Sequence, residues 1–393
     1  MKALSRLLSL TIIVYALIGC NDSSDPTRPS TPPKPETGFA GDGRLDLIVD
    51  YFREQNKLPA LAAIMVKDGQ IIEKSAMGKR SNASNIPVTV NDQWHVGSIT
   101  KSMTSTVAAL LVKNGFIQWD STLEDVYPEL VGTMRTEYQD VRLDELLSHT
   151  SGLPLDIPDF VSYYTDTREL SAQRQDMVEK ALALPSTTTR GVYQYSNLGY
   201  IVAGAMLERV TGSDWETLMQ TYLFTPLSMT QAGFGAPDTQ GALAQPVGHV
   251  QDNGNWYPVD PAVEDISDNP PALGPAGTVH VSLDDMAAYI GLHLKGLRGE
   301  TVDGFLTGQE FAKLYTPFPN STYALGWIVM DDMIVHDGSN TMWLAVVVVN
   351  AEKNTAFFAV TNAVDNLENP NSRVNTAIKG LLDELNARAD AVQ

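Results

Sequence analysis

Ser98 and Lys101 stand three residues apart in Ser98-Ile99-Thr100-Lys101, which occurs as an S-x-x-K run once in 393 residues. On a helix that spacing puts both side chains on one face, so the lysine amine can reach the serine hydroxyl. A serine hydroxyl is a poor nucleophile until a base takes its proton. Lysine can be that base if burial disfavours its ammonium form. Gly97 precedes Ser98 at what reads as a helix start, where free backbone N–H groups and the dipole favour negative charge. On an exposed helix the same residues would be a plain surface pair.

Tyr195-Ser196-Asn197 is a Y-x-N run, also present once, just before the helical face Leu198, Ile201, Val202 and Ala205. One reading makes Asn197 an N-cap and Tyr195 a packing residue. The other makes Tyr195 a proton relay and the Asn197 amide a donor to a substrate. His336-Asp337-Gly338 is a weaker signal, because H-x-G recurs at His95-Val96-Gly97 and K-x-G at Lys67 and Lys113. Its context favours it: it ends one strand beside others, with a glycine that permits close backbone approach.

These residues need elements to hold them. Leu45, Ile48, Val49 and Phe52 share a helical face, and two apolar strands flank Asp68-Gly69 as a hairpin. Met103, Val107, Leu110 and Leu111 continue a helix from Ser98 to Asn114, closed by Gly115. Residues from about 120 to 265 alternate helical patches with Pro- and Gly-rich loops and show few strand signals. Strands return in YALGWIVM, MIVHDG, WLAVVVVN and TAFFAVTN, and a helix over about Ser372 to Ala389 closes the chain. Strands at both ends with helices between predict an α/β (α+β) sandwich: a mainly antiparallel sheet flanked by helices, with an inserted, mostly helical lobe. The sheet lobe spans about 41–95 and 270–393, and the helical lobe about 96–269.

Lys2 and Arg6 precede the apolar run Leu7–Ile18, which is short for a membrane span and reads as a secretory signal. Leu17-Ile18-Gly19-Cys20 resembles the bacterial lipobox, which assigns residues 1–19 to a signal peptide and lipidation to Cys20. Cys20 is the sole cysteine, so no intramolecular disulfide, thiol nucleophile or cysteine metal site is expected. Residues 20–40 are a proline-rich, semi-stiff tether before the body at 41–393. A formal net charge of −20 argues against a nucleic-acid partner. The six histidines form no H-x-H or H-E-x-x-H pair, and no G-x-S-x-G elbow, Walker or dinucleotide glycine pattern occurs. No metal or other cofactor is expected.

The three motifs in this order resemble the serine β-lactamases and penicillin-binding proteins. Leu147-Ser148-His149-Thr150-Ser151-Gly152-Leu153, Leu325-Gly326-Trp327 and His336-Asp337-Gly338-Ser339-Asn340 look like the class C branch with its DD-peptidase, D-aminopeptidase and family VIII esterase relatives. The resemblance spans about residues 45 to 385 and implies a β-lactamase/transpeptidase-like fold. It implies that Ser98 forms an acyl-enzyme, Lys101 is its base, and Tyr195 carries the proton to the leaving group. It also implies that Asn197, His336, Asp337, Gly338 and Ser339 bind substrate, with the backbone N–H groups of Ser98 and Ser339 as the oxyanion hole. His149 belongs to the resemblance as a structural loop residue.

The expected activity is a serine hydrolase acting on small ester or amide substrates. The alternatives are a D-Ala-D-Ala carboxypeptidase or class C-type β-lactamase, and a non-catalytic surface lipoprotein that binds a ligand in the same cleft. Asn21 follows the cysteine where an inner-membrane retention signal would place aspartate, so the expected location is the periplasmic face of the outer membrane. The membrane is expected as a partner only through lipidated Cys20. Cys20→Ala should therefore release soluble or unprocessed protein on fractionation; unchanged attachment of a correctly cleaved mutant would contradict the assignment.

Overall fold

The computed structural model of the chain describes residues 33–238, 241–262, 264 and 266–391. The segments expected as signal peptide (1–19) and tether (20–40) lie, up to residue 32 and with Cys20, outside the described residues. Helix α1 (Leu45–Gln55) is followed by the hairpin β1 (Ala60–Lys67) and β2 (Gln70–Gly78). Asp68 and Gly69 turn that hairpin with φ of 52° and 73°, the left-handed pair that suits a two-residue connection. Then come β3 (Gln93–His95), a 3₁₀ turn Gly97–Ile99 and helix α2 (Thr100–Lys113). Gly115, with φ +77°, closes the helix as expected.

The middle of the chain supplies helices Leu170–Ala183 and Asn197–Thr211, and four short strands. These are β4 (Gly233–Phe234), β5 (Gly248–Asp252), β6 (Asn255–Val259) and β7 (Val279–Ser282). The β5–β6 hairpin falls in the stretch read from sequence as helices and loops. Its strands are five residues each, and Pro258 and exposed polar positions dilute the alternation that would reveal them. Helix Leu283–Leu297 leads to β8 (Ile328–Met330), β9 (Met333–Ser339), β10 (Leu344–Asn350), β11 (Thr355–Thr361) and a last helix, Arg373–Asp390.

The six-stranded sheet runs β2-β1-β11-β10-β9-β8, antiparallel throughout, and β3-β7-β4 form a smaller sheet. The two ends of the chain thus meet at β1 and β11 in the centre of one sheet. Side chains alternate between its faces. Ala62, Ile64, Val347 and Phe358 face the large core that includes α2 and helix Leu283–Leu297. Leu61, Ala63, Phe357 and Ala359 face a second core closed by α1 and the last helix. The strand expected through YALGWIVM is shorter than its apolar run, because Gly326 adopts φ +80° against the first turn of α2. A β-carbon there would come within 2.6 Å of Ser102 Cα.

A buried cation ties helix Asn197–Thr211 to its neighbour. The guanidinium of Arg174 is fully buried and forks onto Glu208 at 2.6 and 3.0 Å and onto Glu216 at 2.8 and 3.0 Å. Glu208 also accepts the Trp215 N–H at 2.8 Å. Removing the guanidinium would strand the Glu208 carboxylate in a site that already disfavours its charge. Arg174→Met is therefore expected to lower unfolding stability by about 3–5 kcal/mol. A urea titration with an unchanged midpoint would contradict this.

Candidate active site

Ser98 lies in the 3₁₀ turn before α2, only 4% exposed, at the point where that turn meets β9. The contact is backbone on backbone. A β-carbon on Gly338 would sit 2.1 Å from the Val96 carbonyl oxygen and 2.6 Å from the Ser98 nitrogen. One on Gly97, which has φ +51°, would sit 2.3 Å from the Ser339 nitrogen. Real β-carbons do not come so close, so glycine is required on both sides. The N–H groups of Ser98 and Ser339 flank this contact.

Lys101 is completely buried one turn further on. Its Nζ lies 2.8 Å from the Ala276 carbonyl, 2.9 Å from Asn197 Oδ1 and 3.2 Å from Ser98 Oγ. Burial lowers its pKa from 10.5 to about 7, against the opposing pull of Asp156 and Asp337. A neutral amine has two N–H donors and one lone pair. The two carbonyl oxygens take the donors, which leaves the lone pair for the Ser98 hydroxyl.

Tyr195 donates its O–H to Ser98 Oγ at 2.8 Å from the other side. Burial raises its pKa well above the ordinary 10, so the phenol stays protonated. Its ring rests 4.7 Å from Lys101 Nζ.

The start of helix Asn197–Thr211 sets these groups. Ser196, not Asn197, is the N-cap, its Oγ accepting the Gly199 N–H. Asn197 is the first helical residue and turns its Oδ1 to Lys101 and its Nδ2 to Asp156, 3.4 and 3.5 Å from the two carboxylate oxygens. The loop before it is pinned from behind. Pro154 O accepts the Ser196 hydroxyl, and Leu155 O accepts the N–H groups of Asn197 and Leu198. His149 adopts φ 61° and accepts the Ser196 N–H on Nδ1, with its ring among Tyr193, Tyr195, Tyr200 and Tyr323. Burial holds it neutral. It lies behind Tyr195 as a support, as its loop position suggested.

On β9, both ring nitrogens of His336 are engaged: Nδ1 donates to Asp337 O, and Nε2 accepts from Tyr323 O–H at 3.0 Å. Burial lowers its pKa to about 3, so the ring carries no charge to offer a substrate. Asp337 pairs with Val346 in the sheet, whereas His336 pairs with Val347, so the two side chains leave opposite faces. Burial raises the Asp337 pKa to about 6.

His95 belongs to the other H-x-G copy. Its Nδ1 accepts the Gly97 N–H at 3.1 Å, and its Nε2 sits 3.0 Å from Asp268 Oδ1, a close electrostatic contact rather than a linear hydrogen bond. The same oxygen accepts Asn340 Nδ2 at 2.8 Å. One carboxylate therefore ties together the backbone on both sides of the Gly97–Gly338 contact.

Ser98, Lys101, Tyr195, Asn197 and the backbone of Gly338 and Ser339 thus converge. Asp156, the Ala276 carbonyl, and the supporting residues Tyr323, His95 and Asp268 were not anticipated. Among the described residues, no group of three or more His, Cys, Asp or Glu is placed to hold a metal ion.

The β-lactamase family model matches residues 45–378. The chain belongs to that family. It is 26% identical to penicillin-binding protein 4 of Amycolatopsis lactamdurans over 62% of each chain. It is 27% identical to an unguisins hydrolase of Aspergillus violaceofuscus over 60% of this chain and 42% of that one. It thus spans about three-fifths or less of these two relatives. The fold resembles the octameric penicillin-binding protein homologue of Pyrococcus abyssi, with a TM-score of 0.67 at 21% identity over 88% of this chain and 77% of that one. It also resembles SurE, with a TM-score of 0.68 at 22% identity over 88% and 74%.

Such a site can move one proton from Ser98 to Lys101 near neutral pH. As pH falls through about 7, Lys101 takes up a proton and loses the lone pair that faces Ser98. The specificity constant on a neutral ester is expected to fall about tenfold per pH unit below that point and level off above it. Asp156 and Asp337 titrate in the same range, and each carboxylate favours the ammonium, so Asp337→Asn should move the midpoint down. A flat profile between about pH 5.5 and 8 would contradict the assignment.

Proposed function

We propose that the protein is a lipid-anchored serine hydrolase that cleaves small ester or amide substrates through an acyl-enzyme on Ser98. The observation that carries this reading is the position of Ser98 Oγ, 3.2 Å from a buried lysine amine and 2.8 Å from a phenol that stays protonated. Two groups touch the nucleophile and only one can be its base. Tyr195 would have to ionise against burial, whereas a pKa of about 7 leaves Lys101 about half neutral near pH 7.

The proposed sequence is balanced in protons. Lys101 takes the Ser98 proton as Oγ attacks the carbonyl carbon, and the oxyanion forms beside the N–H groups of Ser98 and Ser339. The carbonyl–leaving-group bond then breaks. The proton returns from Lys101 by way of Tyr195 to the departing oxygen or nitrogen. Water enters, gives its proton to the same base, and releases the acid and the free serine. Cys20 and the tether would hold this body at a membrane surface.

Asp337 bears on the choice among ester, peptide and β-lactam. No ion pair covers it among the described residues, and its pKa of about 6 leaves it mostly ionised at pH 7.5. Its neighbour His336 is neutral, so this end of the cleft offers a substrate carboxylate repulsion and no cation. Two like charges 4 Å apart repel by about 1 kcal/mol in water and about 4 kcal/mol at an effective dielectric of 20. Because β9 turns Asp337 to the face opposite His336, we adopt the lower figure, which corresponds to about fivefold.

Ser98→Ala should abolish turnover and fluorophosphonate labelling with an unchanged circular dichroism spectrum. A Ser98→Ala protein that kept wild-type ester hydrolysis would end the proposal, and an unlabelled wild type would favour a ligand-binding role. Asp337→Thr should raise nitrocefin and D-Ala-D-Ala rates several-fold relative to p-nitrophenyl acetate. An ester-to-nitrocefin ratio that Asp337→Thr leaves unmoved would overturn the electrostatic argument.

A further inference from the structure

Asp268 lies in a segment outside every helix and strand, and the mechanism above does not use it. Its Oδ1 gathers three groups: Asn340 Nδ2 at 2.8 Å, the Asn269 N–H at 2.7 Å and the His95 ring at Nε2, 3.0 Å away. Its other oxygen, Oδ2, is buried with no hydrogen-bond partner, and no arginine or lysine pairs with the carboxylate among the described residues. A carboxylate buried with one oxygen unpaired costs stability rather than adding it. Its contribution lies in what Oδ1 holds.

One arm runs through His95. A neutral imidazole carries its proton on one nitrogen and a lone pair on the other. Nδ1 accepts the Gly97 N–H at 3.1 Å, so the proton sits on Nε2, the nitrogen that faces Asp268. The carboxylate selects that tautomer. In the other tautomer an Nδ1–H would oppose the Gly97 N–H and release Gly97 from the ring that holds it at φ +51°. Gly97 begins the peptide whose N–H belongs to Ser98. The first N–H to find a carbonyl within this turn is that of Ile99, on Val96 at 3.2 Å, so the turn itself leaves the Ser98 N–H unused.

The second arm runs through Asn340, the residue after Ser339. Both ends of its amide are taken, Nδ2 by Asp268 and Oδ1 by the Met342 N–H at 3.2 Å. That fixes the end of β9 just beyond the Ser339 N–H. We infer that Asp268 is a positioning residue for the oxyanion hole, holding the Ser98 and Ser339 N–H groups in place through the His95 tautomer and Asn340. It touches no reacting atom, and its effect appears only as negative charge develops on the carbonyl oxygen. This rests on Ser98 being the nucleophile, and the test separates the two claims.

The experiment compares p-nitrophenyl acetate with its thiono analogue, in which sulfur replaces the carbonyl oxygen and accepts hydrogen bonds poorly. Wild type is expected to favour the oxygen ester by about thirtyfold or more in kcat/KM. Asp268→Ala should lower the oxygen-ester value about a hundredfold and the thiono value less than about fivefold, so that the preference collapses. Asp268→Asn keeps an acceptor for Asn340 and should retain at least about a tenth of the wild-type value and most of the preference. The pH midpoint should not move in Asp268→Ala, because Asp156 and Asp337, not Asp268, act on Lys101. If thermal melting shows Asp268→Ala unfolded, Asn340→Ala, which cuts one arm, decides on the same ratio. Equal losses on the two esters in a folded variant, an unmoved ratio or a shifted midpoint overturn the inference while Ser98 labelling stands. If neither ester is turned over, the rate of fluorophosphonate labelling is read instead, and a rate in Asp268→Ala equal to wild type overturns it. Absence of labelling in wild type overturns the nucleophile and this inference with it.

Discussion

The backbone contact between Gly97 and Gly338 is the constraint on which the site depends. A β-carbon on either side would overlap the other segment's backbone, at 2.3 Å from Ser339 N in one direction and 2.1 Å from Val96 O in the other. Bringing two backbones together this closely places the N–H groups of the residues that follow the two glycines, Ser98 and Ser339, beside one contact without any side chain having to reach. The support comes from both segments at once. His95 accepts the Gly97 N–H, Asn340 follows Ser339, and both meet one oxygen of Asp268. Backbone donors fixed by packing need no reorganisation when charge develops, which side-chain donors on a surface would.

Around that contact the protonation states are held apart by burial. His149 and His336 are kept neutral, Tyr195 and Tyr323 are kept from ionising, and Lys101 alone is brought close to neutrality. Each aromatic or imidazole group is buried among the others, and their polar atoms bond mainly to backbone or to one another. Tyr323 spans the cluster, with its ring beside His149 and its hydroxyl on His336. The cluster does not supply charge. It supplies a medium of low polarity in which a lysine is willing to be an amine.

Much of this could be read from the sequence because the informative spacings are local. Three residues along a helix fix the Ser98–Lys101 approach whatever the rest of the chain does, and continuous apolar, β-branched and aromatic runs mark β10 and β11. The Ser196–Asn197 assignment failed locally, since either residue can cap a helix and only the partners of Asn197 decide between them. Context favoured the His336 copy of H-x-G over the His95 copy, yet the two are not rivals: Gly97 and Gly338 pack against each other. The Ala276 carbonyl, 175 residues from Lys101, leaves no mark in sequence at all, since every residue has a carbonyl. Asp156 lay two residues beyond Pro154 in a loop with no periodicity to flag it. The substrate-contact reading of His336 came from the resemblance, whereas the partners that engage its ring, Tyr323 and its own chain, are set by the tertiary fold and leave no local mark.

The acidity of the chain acquires a local meaning at Lys101. Burial alone would push its pKa further down than it lies, because Asp156 and Asp337 both favour the ammonium. A lysine with burial and no acids nearby would be a weak base, free at rest but reluctant to accept the serine proton. A lysine with acids and no burial would stay close to 10.5 and hold its proton at neutral pH. Efficient general-base catalysis needs a group that can both lose and gain a proton near the working pH. The two carboxylates therefore act on the base even though neither touches it. The cost of that arrangement falls on the substrate: a cleft that steadies a transient ammonium with fixed acids repels carboxylates and attracts cations by the same field.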